Sequence, residues 1–211
     1  MPGVFITGTD TGVGKTHITY LLAKELLSEG LDVGVMKPIS CGPNNDNDAI
    51  YLKKKLALKD SLDLINPIRL KYPLSPYAAA MTQDKKINLK KIFNAYKLLS
   101  KKHDLVLVEG VGGALVPITK NYFVADLIKD MGIPAIIVAR AGLGTINHTL
   151  LTLEALASRK IPILGIIMNG YTGKERSEKT NAEVIEKLTG VPILAKLTAA
   201  KPLPIQTKLF R

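Results

Sequence analysis

Val4-Phe5-Ile6-Thr7-Gly8-Thr9-Asp10-Thr11-Gly12-Val13-Gly14-Lys15-Thr16 decides how the rest of the chain is read. An apolar run ends in a glycine-rich loop, and the loop closes on Gly-Lys-Thr. Directly after it, Ile18, Leu21, Leu22, Leu26 and Leu27 are spaced to share one helical face. Strand, glycine loop and helix in that order form the context that a phosphate-binding loop requires. Glycines let the backbone curl until several N–H groups point at one anion, and the helix N-terminus adds its partial positive charge. Lys15 then reaches the outer phosphates, and the Thr16 hydroxyl can ligate Mg2+. The common form of the loop is Gly, four residues, then Gly-Lys-Ser/Thr. Here position 9 is Thr and the glycine stands one step earlier, at Gly8, so the loop is one residue longer. That length points to a particular subgroup of phosphate-binding proteins.

The 211 residues are 46% hydrophobic, ordinary for a single domain with a full core. No apolar run approaches the length of a bilayer span. No basic segment followed by an apolar one opens the chain, so no signal peptide is expected. Cys41 is the only cysteine, which excludes an internal disulfide, and the cytoplasm is the expected compartment. The net charge of +11 would suit nucleic acid or an anionic membrane. The lysines, however, are dispersed over Lys53 to Lys55, Lys85 to Lys91, Lys101, Lys102 and Lys174 to Lys187, mostly on polar helix faces. A solvated basic surface accounts for that spread better than a binding stripe, so neither nucleic acid nor membrane is an expected partner. An anionic substrate such as ATP would benefit from the same field.

After the first helix Gly30 marks a stop, and residues 31–36 read as a second strand ending at Lys37-Pro38. Pro38 biases Lys37 towards an extended backbone, at a strand's carboxyl end, where ligands gather in open α/β sheets. Residues 39–45 read as loop. Asp46-Asn47-Asp48 precedes a helical stretch with Ile50, Leu52 and Leu56. Asp48 has two readings at this stage: it charges or caps the helix N-terminus, or it offers a carboxylate to a cation. Residues 60–87, with Pro67, Pro73 and Pro76, read as an irregular excursion carrying a short helix near 77–83. Asn88 opens a clear helix with Leu89, Ile92, Phe93, Tyr96 and Leu99 on one face.

Residues 104–109 form a buried-type strand ending in Glu109, followed by Gly110-Val111-Gly112-Gly113. A carboxylate at such a strand end commonly faces the metal at a phosphate loop, and the glycines clear space for close backbone approach. A short helix over 124–131 stops at Gly132, and 135–139 is another buried strand. Ala141 to His148 is a second glycine-bearing turn into a helix. It reads as an ordinary turn with Thr145 or Asn147 as N-cap, or as an anion site. Strand 163–168 ends at Asn169-Gly170, residues 177–188 are helical, and 192–197 form a last strand. The tail, 198–211, is expected to be loosely held. His17, His103 and His148 share no metal-like spacing. The expected fold is α/β: a single three-layer domain over 1–211, with a mainly parallel sheet, helices on both faces, and a P-loop NTPase architecture.

These stretches together resemble the dethiobiotin synthetases. The lengthened loop Gly8 to Thr16, Lys37-Pro38 with Gly42, Asn47-Asp48-Ala49, Glu109 to Gly113, Leu143 to His148 and Asn169-Gly170 recur in that family's order, over about residues 3–197. The resemblance implies an ATP- and Mg2+-dependent ring closure. One amine of 7,8-diaminononanoate takes up CO2, the carbamate is phosphorylated to a mixed anhydride, and the second amine closes the cyclic urea. It implies a homodimer, with the turn at Gly144, Thr145 and Asn147 of one subunit meeting the substrate carboxylate at the other's site. By matching position, Thr16, Asp48 and Glu109 would hold Mg2+. Lys15 and Lys37 would contact phosphate and carbamate. Thr11 and Cys41 would line the diamine site, with Lys37, Lys15 and Thr11 the catalytic set. Asp10, Thr11, Gly12, Val13, Gly14, Lys15, Thr16 and His17, with Glu109, Gly110, Gly112 and Gly113, would surround the nucleotide, and Asn169 would read the adenine.

Two features depart from the pattern: Cys41 stands where the family has Ser or Thr, and the tail is short and basic. Cys41 either faces the diamine, its thiol made reactive by a nearby lysine, or simply fills space as a small hydrophobe. Lys37 at a strand end contributes little packing, so its removal is expected to leave the fold intact. The rival reading from another class is a regulatory P-loop ATPase switch acting on DNA or membrane.

Overall fold

A computed structural model describes residues 2–43, 47–198 and 207–210. The first half runs β1 (Gly3–Gly8), α1 (Lys15–Ser28), β2 (Val33–Met36), β3 (Ile39–Cys41), α2 (Asp48–Lys55), α3 (Leu62–Ile65), β4 (Ile68–Leu70), α4 (Pro76–Thr82) and α5 (Leu89–Lys102). The second half runs β5 (Leu105–Gly113), β6 (Pro117–Thr119), β7 (Tyr122–Phe123), α6 (Val124–Met131), β8 (Ala135–Arg140), α7 (Thr145–Ala157), β9 (Ile163–Tyr171), α8 (Ser177–Thr189) and β10 (Ile193–Thr198), with a 3-10 turn at Thr207–Phe210.

A 6-stranded sheet in the order β10-β9-β8-β1-β5-β2 forms the middle layer, parallel throughout. The near-continuous apolar runs are explained by burial on both faces, since side chains alternate along a strand. Val4 and Ile6 of β1, Leu105 and Leu107 of β5, and Ile136 and Val138 of β8 pack under Ile18, Leu22 and Leu26 of α1 and Leu52 of α2. The intervening Phe5, Val106, Val108 and Ile137 pack on the other side, with Ile92 and Leu99 of α5, Ile128 of α6, Leu156 of α7 and Ile185 of α8. Each such Leu, Ile or Phe contributes about 1.5–3 kcal/mol by leaving water. The face of α1 differs slightly from the expected one: Leu27 turns outward, and Thr19 and Ala23 share the buried stripe. Among the described residues no helix is long and apolar enough to cross a membrane.

β1 lies at the centre, with β5 and β2 on one side and β8, β9 and β10 on the other. The chain therefore diverges on either side of β1, and a crevice opens at the carboxyl ends of the strands, the usual ligand position in such sheets. The register carries this further. Met36 of β2 pairs with Val108 of β5, so the residues that follow, Lys37 and Glu109, stand side by side.

Several expectations are corrected. Residues 39–41 are a strand, paired in parallel with β4 in a separate ribbon, so the stretch 60–87 is more ordered than an excursion. Its prolines hide the pattern because β3 and β4 are each only 3 residues long. β5 does not end at Glu109 but continues through the glycines to Gly113, where it pairs with Gly8. His103, which carried no signal of its own, bridges two carboxylates: its ring nitrogens meet Asp32 at 2.8 Å and Asp60 at 2.9 Å, tying the approach to β2 to the segment before α3. The expected loose tail lies mostly outside the described residues, but Phe210 is buried against the α1 side of the core.

Candidate active site

The loop between β1 and α1 curls through two left-handed glycines, Gly12 at φ 74° and Gly14 at φ 94°. Only glycine takes that conformation without strain. At Gly14 space also matters, because a Cβ would lie 2.1 Å from Asn169 Nδ2. Asp10 shapes the loop: its Oδ1 accepts from the Thr11 N–H at 2.7 Å, and its carbonyl accepts from Lys15 Nζ at 2.9 Å. Lys15 is thus folded back across the loop. Burial, then the neighbouring Lys37 charge, pull its pKa down to about 8.

Four groups from four elements converge at the loop's end. Lys37 Nζ, buried, donates to Glu109 Oε1 at 2.6 Å and to the Gly110 carbonyl at 3.1 Å, and pairs with Asp48 Oδ2 at 2.6 Å. Burial works against its charge, but Glu109 and Asp48 outweigh it and raise its pKa. The Thr16 hydroxyl donates to the same Glu109 Oε1 at 2.7 Å. Glu109 is 0% exposed, yet its Oε2 has no hydrogen-bond partner. Such a buried oxygen is costly unless something binds it. The cap of α2 falls to a neighbour of Asp48, which stays in the first turn. Asn47 caps α2, its Oδ1 accepting from Ala49 N–H at 2.9 Å. The Asp48 side chain, 42% exposed, is free to turn to Lys37. Against the opposing effect of burial, the Lys37 charge and its hydrogen bond hold the Asp48 carboxyl below the usual range.

Two carboxylates and a hydroxyl beside a phosphate loop suit Mg2+, which typically takes one or two carboxylates and completes its shell with water and substrate phosphates. Among the described residues no three His, Cys, Asp or Glu side chains form a group that could hold a metal ion by themselves. The unpartnered Glu109 Oε2 is the observation that fits the ion best.

A cavity of about 510 Å³ opens beside these groups, lined by Thr11, Gly12, Gly14, Lys15, Thr16, Lys37, Cys41, Asp48, Glu109 and Gly112. Pro73 and Leu74, from the stretch read as irregular, and Val111 and Val116 add an apolar wall that sequence reasoning missed. No periodic signal marks Pro73, Leu74 and Val116, because they sit outside helices and strands, and Val111 lies among the glycines at the end of β5. Of the other expected nucleotide residues, His17 is exposed on α1, Gly110 supplies the carbonyl that Lys37 meets, and Gly113 stands against the Thr9 carbonyl. A second cavity of about 370 Å³ lies across the loop, with Val13, Arg140, Gly142, Asn169, Thr172 and Glu175 in its wall. Asn169 Nδ2 donates to the Val13 carbonyl at 2.9 Å, bracing the phosphate loop from this side.

Gly144, Thr145 and Asn147 line neither cavity. The expected N-cap at Thr145 or Asn147 is also corrected: Gly144, at φ 87°, occupies that position, and no side chain caps α7. The left-handed turn needs glycine, which shifts the helix start one residue earlier than a Thr cap would. Thr145 is buried with its hydroxyl unpartnered.

The Cys41 thiol is corrected as well. Burial pushes its pKa up to about 11, and Lys37 opposes this too weakly to reverse it. At pH 8 about one thiol in a thousand is then ionised, and the thiolate is the nucleophile. Iodoacetamide should therefore modify Cys41 slowly at neutral pH, at a rate climbing towards pH 11. A fast reaction at pH 7 would contradict this environment. Cys41→Ser should keep turnover and strengthen diamine binding by about 0.5–1.5 kcal/mol if the side chain meets the substrate, since a hydroxyl bonds better than a thiol. An unchanged KM would favour the space-filling reading.

Residues 2–204 match the family model described as an AAA domain. The chain is 47% identical over 210 residues to the ATP-dependent dethiobiotin synthetase of Thermodesulfovibrio yellowstonii, covering 92% of this chain and 88% of that one. It is 47% identical over 189 residues to that of Aquifex aeolicus, covering 89% and 85%. It is 44% identical over 198 residues to that of Methanocaldococcus jannaschii, covering 90% and 91%. Among solved structures, a Borrelia burgdorferi plasmid partition protein bound to AMPPNP superposes with TM-score 0.59 at 18% identity, over 95% of this chain and 86% of that one. The septum site-determining protein MinD of Pyrococcus horikoshii, complexed with Mg-ADP, gives TM-score 0.59 at 19% identity, over 93% and 80%. At those identities the likeness is one of fold.

Proposed function

The chain belongs to the family of ATP-dependent dethiobiotin synthetases, and on that premise we propose how its residues divide the work of the ring-closing reaction. The observation that carries the reading is the convergence of Lys37, Asp48, Glu109 and Thr16 at the end of the phosphate loop, beside a cavity of about 510 Å³.

The first obstacle is the amine. An alkyl amine resembles lysine, with pKa near 10.4, so at pH 7.5 about one in a thousand is neutral, a penalty of roughly 4 kcal/mol on attack at CO2. Lys15 and Lys37 oppose a further positive charge in the cavity and favour the neutral amine. The same cations then stabilise the carbamate anion that forms. Lys15 leaves the Asp10 carbonyl for the outer phosphates as the carbamate oxygen attacks the terminal phosphorus and ADP departs. The second amine closes on the activated carbonyl and expels phosphate. Thr11 and Cys41 line the diamine end, and Pro73, Leu74 and Val116 supply the apolar wall for its alkyl chain. Thr16, Asp48 and Glu109 would hold Mg2+, whose charge offsets that developing between the phosphates. Asn169 and the cavity behind it would take the adenine. The turn at Gly144, Thr145 and Asn147, remote from the first cavity, would meet the substrate carboxylate in the partner site of a homodimer.

ADP release with and without 7,8-diaminononanoate and bicarbonate tests the reading. Release should depend on both. Turnover stimulated by DNA or lipid vesicles and indifferent to the diamine would instead favour a regulatory switch. Asp48→Asn should shift the Mg2+ activation curve to higher concentration, since an amide offers a hard cation only a neutral oxygen. Because Asp48 is partly exposed, the shift should be smaller than that from Glu109. An unmoved curve would take Asp48 out of the metal set.

A further inference from the structure

Asn66 lines neither cavity and carries no charge, yet it is bonded to the segments that bear Lys37 and Asp48. It follows α3 and is fully buried. Its Nδ2 donates to the Lys37 carbonyl at 2.7 Å and to the Ile68 carbonyl at 3.2 Å. Its Oδ1 accepts from Ser40 Oγ at 2.8 Å and from Asn47 Nδ2 at 3.3 Å. The carboxamide has two N–H donors and one oxygen with two lone pairs, and all are used. The two carbonyls on one side require that end to be the nitrogen.

The backbone repeats the connection. The Lys37 N–H donates to the Ile65 carbonyl at 2.7 Å, so both main-chain polar groups of Lys37 end on consecutive residues, Ile65 and Asn66. On the other side Asn47 spends its Oδ1 on capping α2 and its Nδ2 on Asn66 and Ser40, the latter at 3.0 Å. The next residue is Asp48. One amide thus tethers the two chain segments whose side chains meet at 2.6 Å. An aliphatic side chain here would strip the Lys37 carbonyl of its bond and take one partner each from Ser40, Asn47 and Ile68, and a carboxylate would face two carbonyls.

We propose that Asn66 is a positioning residue of the reaction, setting the spacing between the Lys37 ammonium and the Asp48 carboxylate, and with it the oxygen geometry offered to the metal. The inference rests on the roles given above to Lys37 and Asp48. Outer partners that orient a metal ligand commonly matter 10- to 100-fold, Asn66 reaches Asp48 through its neighbour Asn47, and a misplacement of about 1 Å at a reacting centre costs about 10²-fold.

The test uses the full chain with Asn66→Ala and Asn47→Ser, followed by Mn2+ titration in saturating ADP by electron paramagnetic resonance, steady-state kinetics and thermal melting. Asn66→Ala should weaken Mn2+ binding by about 10- to 100-fold and lower kcat by a similar factor. KM for ATP should stay near its original value, because the phosphate-loop donors do not touch this network. A lower melting temperature with unchanged Mn2+ affinity, and unchanged kcat per folded molecule, would mean a purely structural role and overturn the proposal. Should Asn66→Ala fail to fold, Asn47→Ser decides. Serine still caps a helix but has no amide to donate to Asn66. Weaker Mn2+ binding in that variant supports the tether, and wild-type binding overturns it. Lys37→Ala separates the two levels. If it keeps turnover, the site reading and this inference fall together. If it loses turnover while both asparagine variants behave as wild type, the inference alone fails.

Discussion

Lys37→Ala is expected to lower turnover by a factor on the order of 10² to 10³, the loss typical of removing one transition-state charge donor, and to destabilise the metal-free protein by about 3–5 kcal/mol. The second effect reverses what a lysine at a strand end suggests. Lys37 is the counter-charge of Glu109, which is 0% exposed and bonded through Oε1 to Lys37 and Thr16. Removing the ammonium leaves a buried carboxylate without its cation, and breaking one half of such a pair is the costly case. For a chain of this size each kcal/mol lowers the melting temperature by about 2–4 °C, so melting without metal reads the effect directly. Mg-ADP should restore part of the loss, since a bound cation compensates the same carboxylate. A variant with near-normal kcat would remove Lys37 from the catalytic set, and one with an unchanged metal-free melting temperature would remove it from the ion pair.

Glu109→Gln should raise the Mg2+ concentration for half-maximal activity by more than the 10- to 100-fold typical of outer-shell partners, because it removes a charged oxygen ligand outright. Its effect on the metal-free fold should be far smaller than that of Lys37→Ala. The native carboxylate already has one buried oxygen without a partner, and the isosteric amide removes the need to bury that charge. Lys37 retains Asp48 at 2.6 Å as a counter-ion. The metal-free melting temperature should therefore change little, while the rise that Mg-ADP normally causes should shrink. The double variant Lys37→Met with Glu109→Gln should be more stable than the Lys37 change alone, since it leaves no unpaired buried charge. A Glu109→Gln protein with a wild-type Mg2+ curve would exclude Glu109 as a ligand. One that melts as low as Lys37→Ala would show that the carboxylate stabilises the fold by itself.

Local signals carried much of the site. The glycine loop, the helix behind it and the apolar strands were legible because each depends on patterns within about ten residues: left-handed glycines, a 3.6-residue period, an unbroken buried run. Lys37 and Glu109 were found because each ends such a run. Asn66 was not found. It follows a four-residue helix and precedes Pro67, and nothing local distinguishes a buried asparagine from one in a turn. Leu74 and Val116 were missed for the same reason: their contact with the site is made across the fold.

The sequence by itself determined the phosphate loop, the alternation of strands and helices, and the identity of the charged groups at strand ends. The tertiary structure decided how those groups combine. Strand order and register bring Lys37 beside Glu109. Asn47, by taking the cap of α2, leaves Asp48 for Lys37. The chemistry of single groups was decided there too. The Cys41 thiol lies near a lysine yet is pushed up to about 11 by burial, whereas Lys37 is more deeply buried and keeps its charge because two carboxylates meet it. Backbone preference is a property of neighbours in sequence. Register, desolvation and charge pairing depend on neighbours in space, and those exist only once the sheet has formed and its faces are covered.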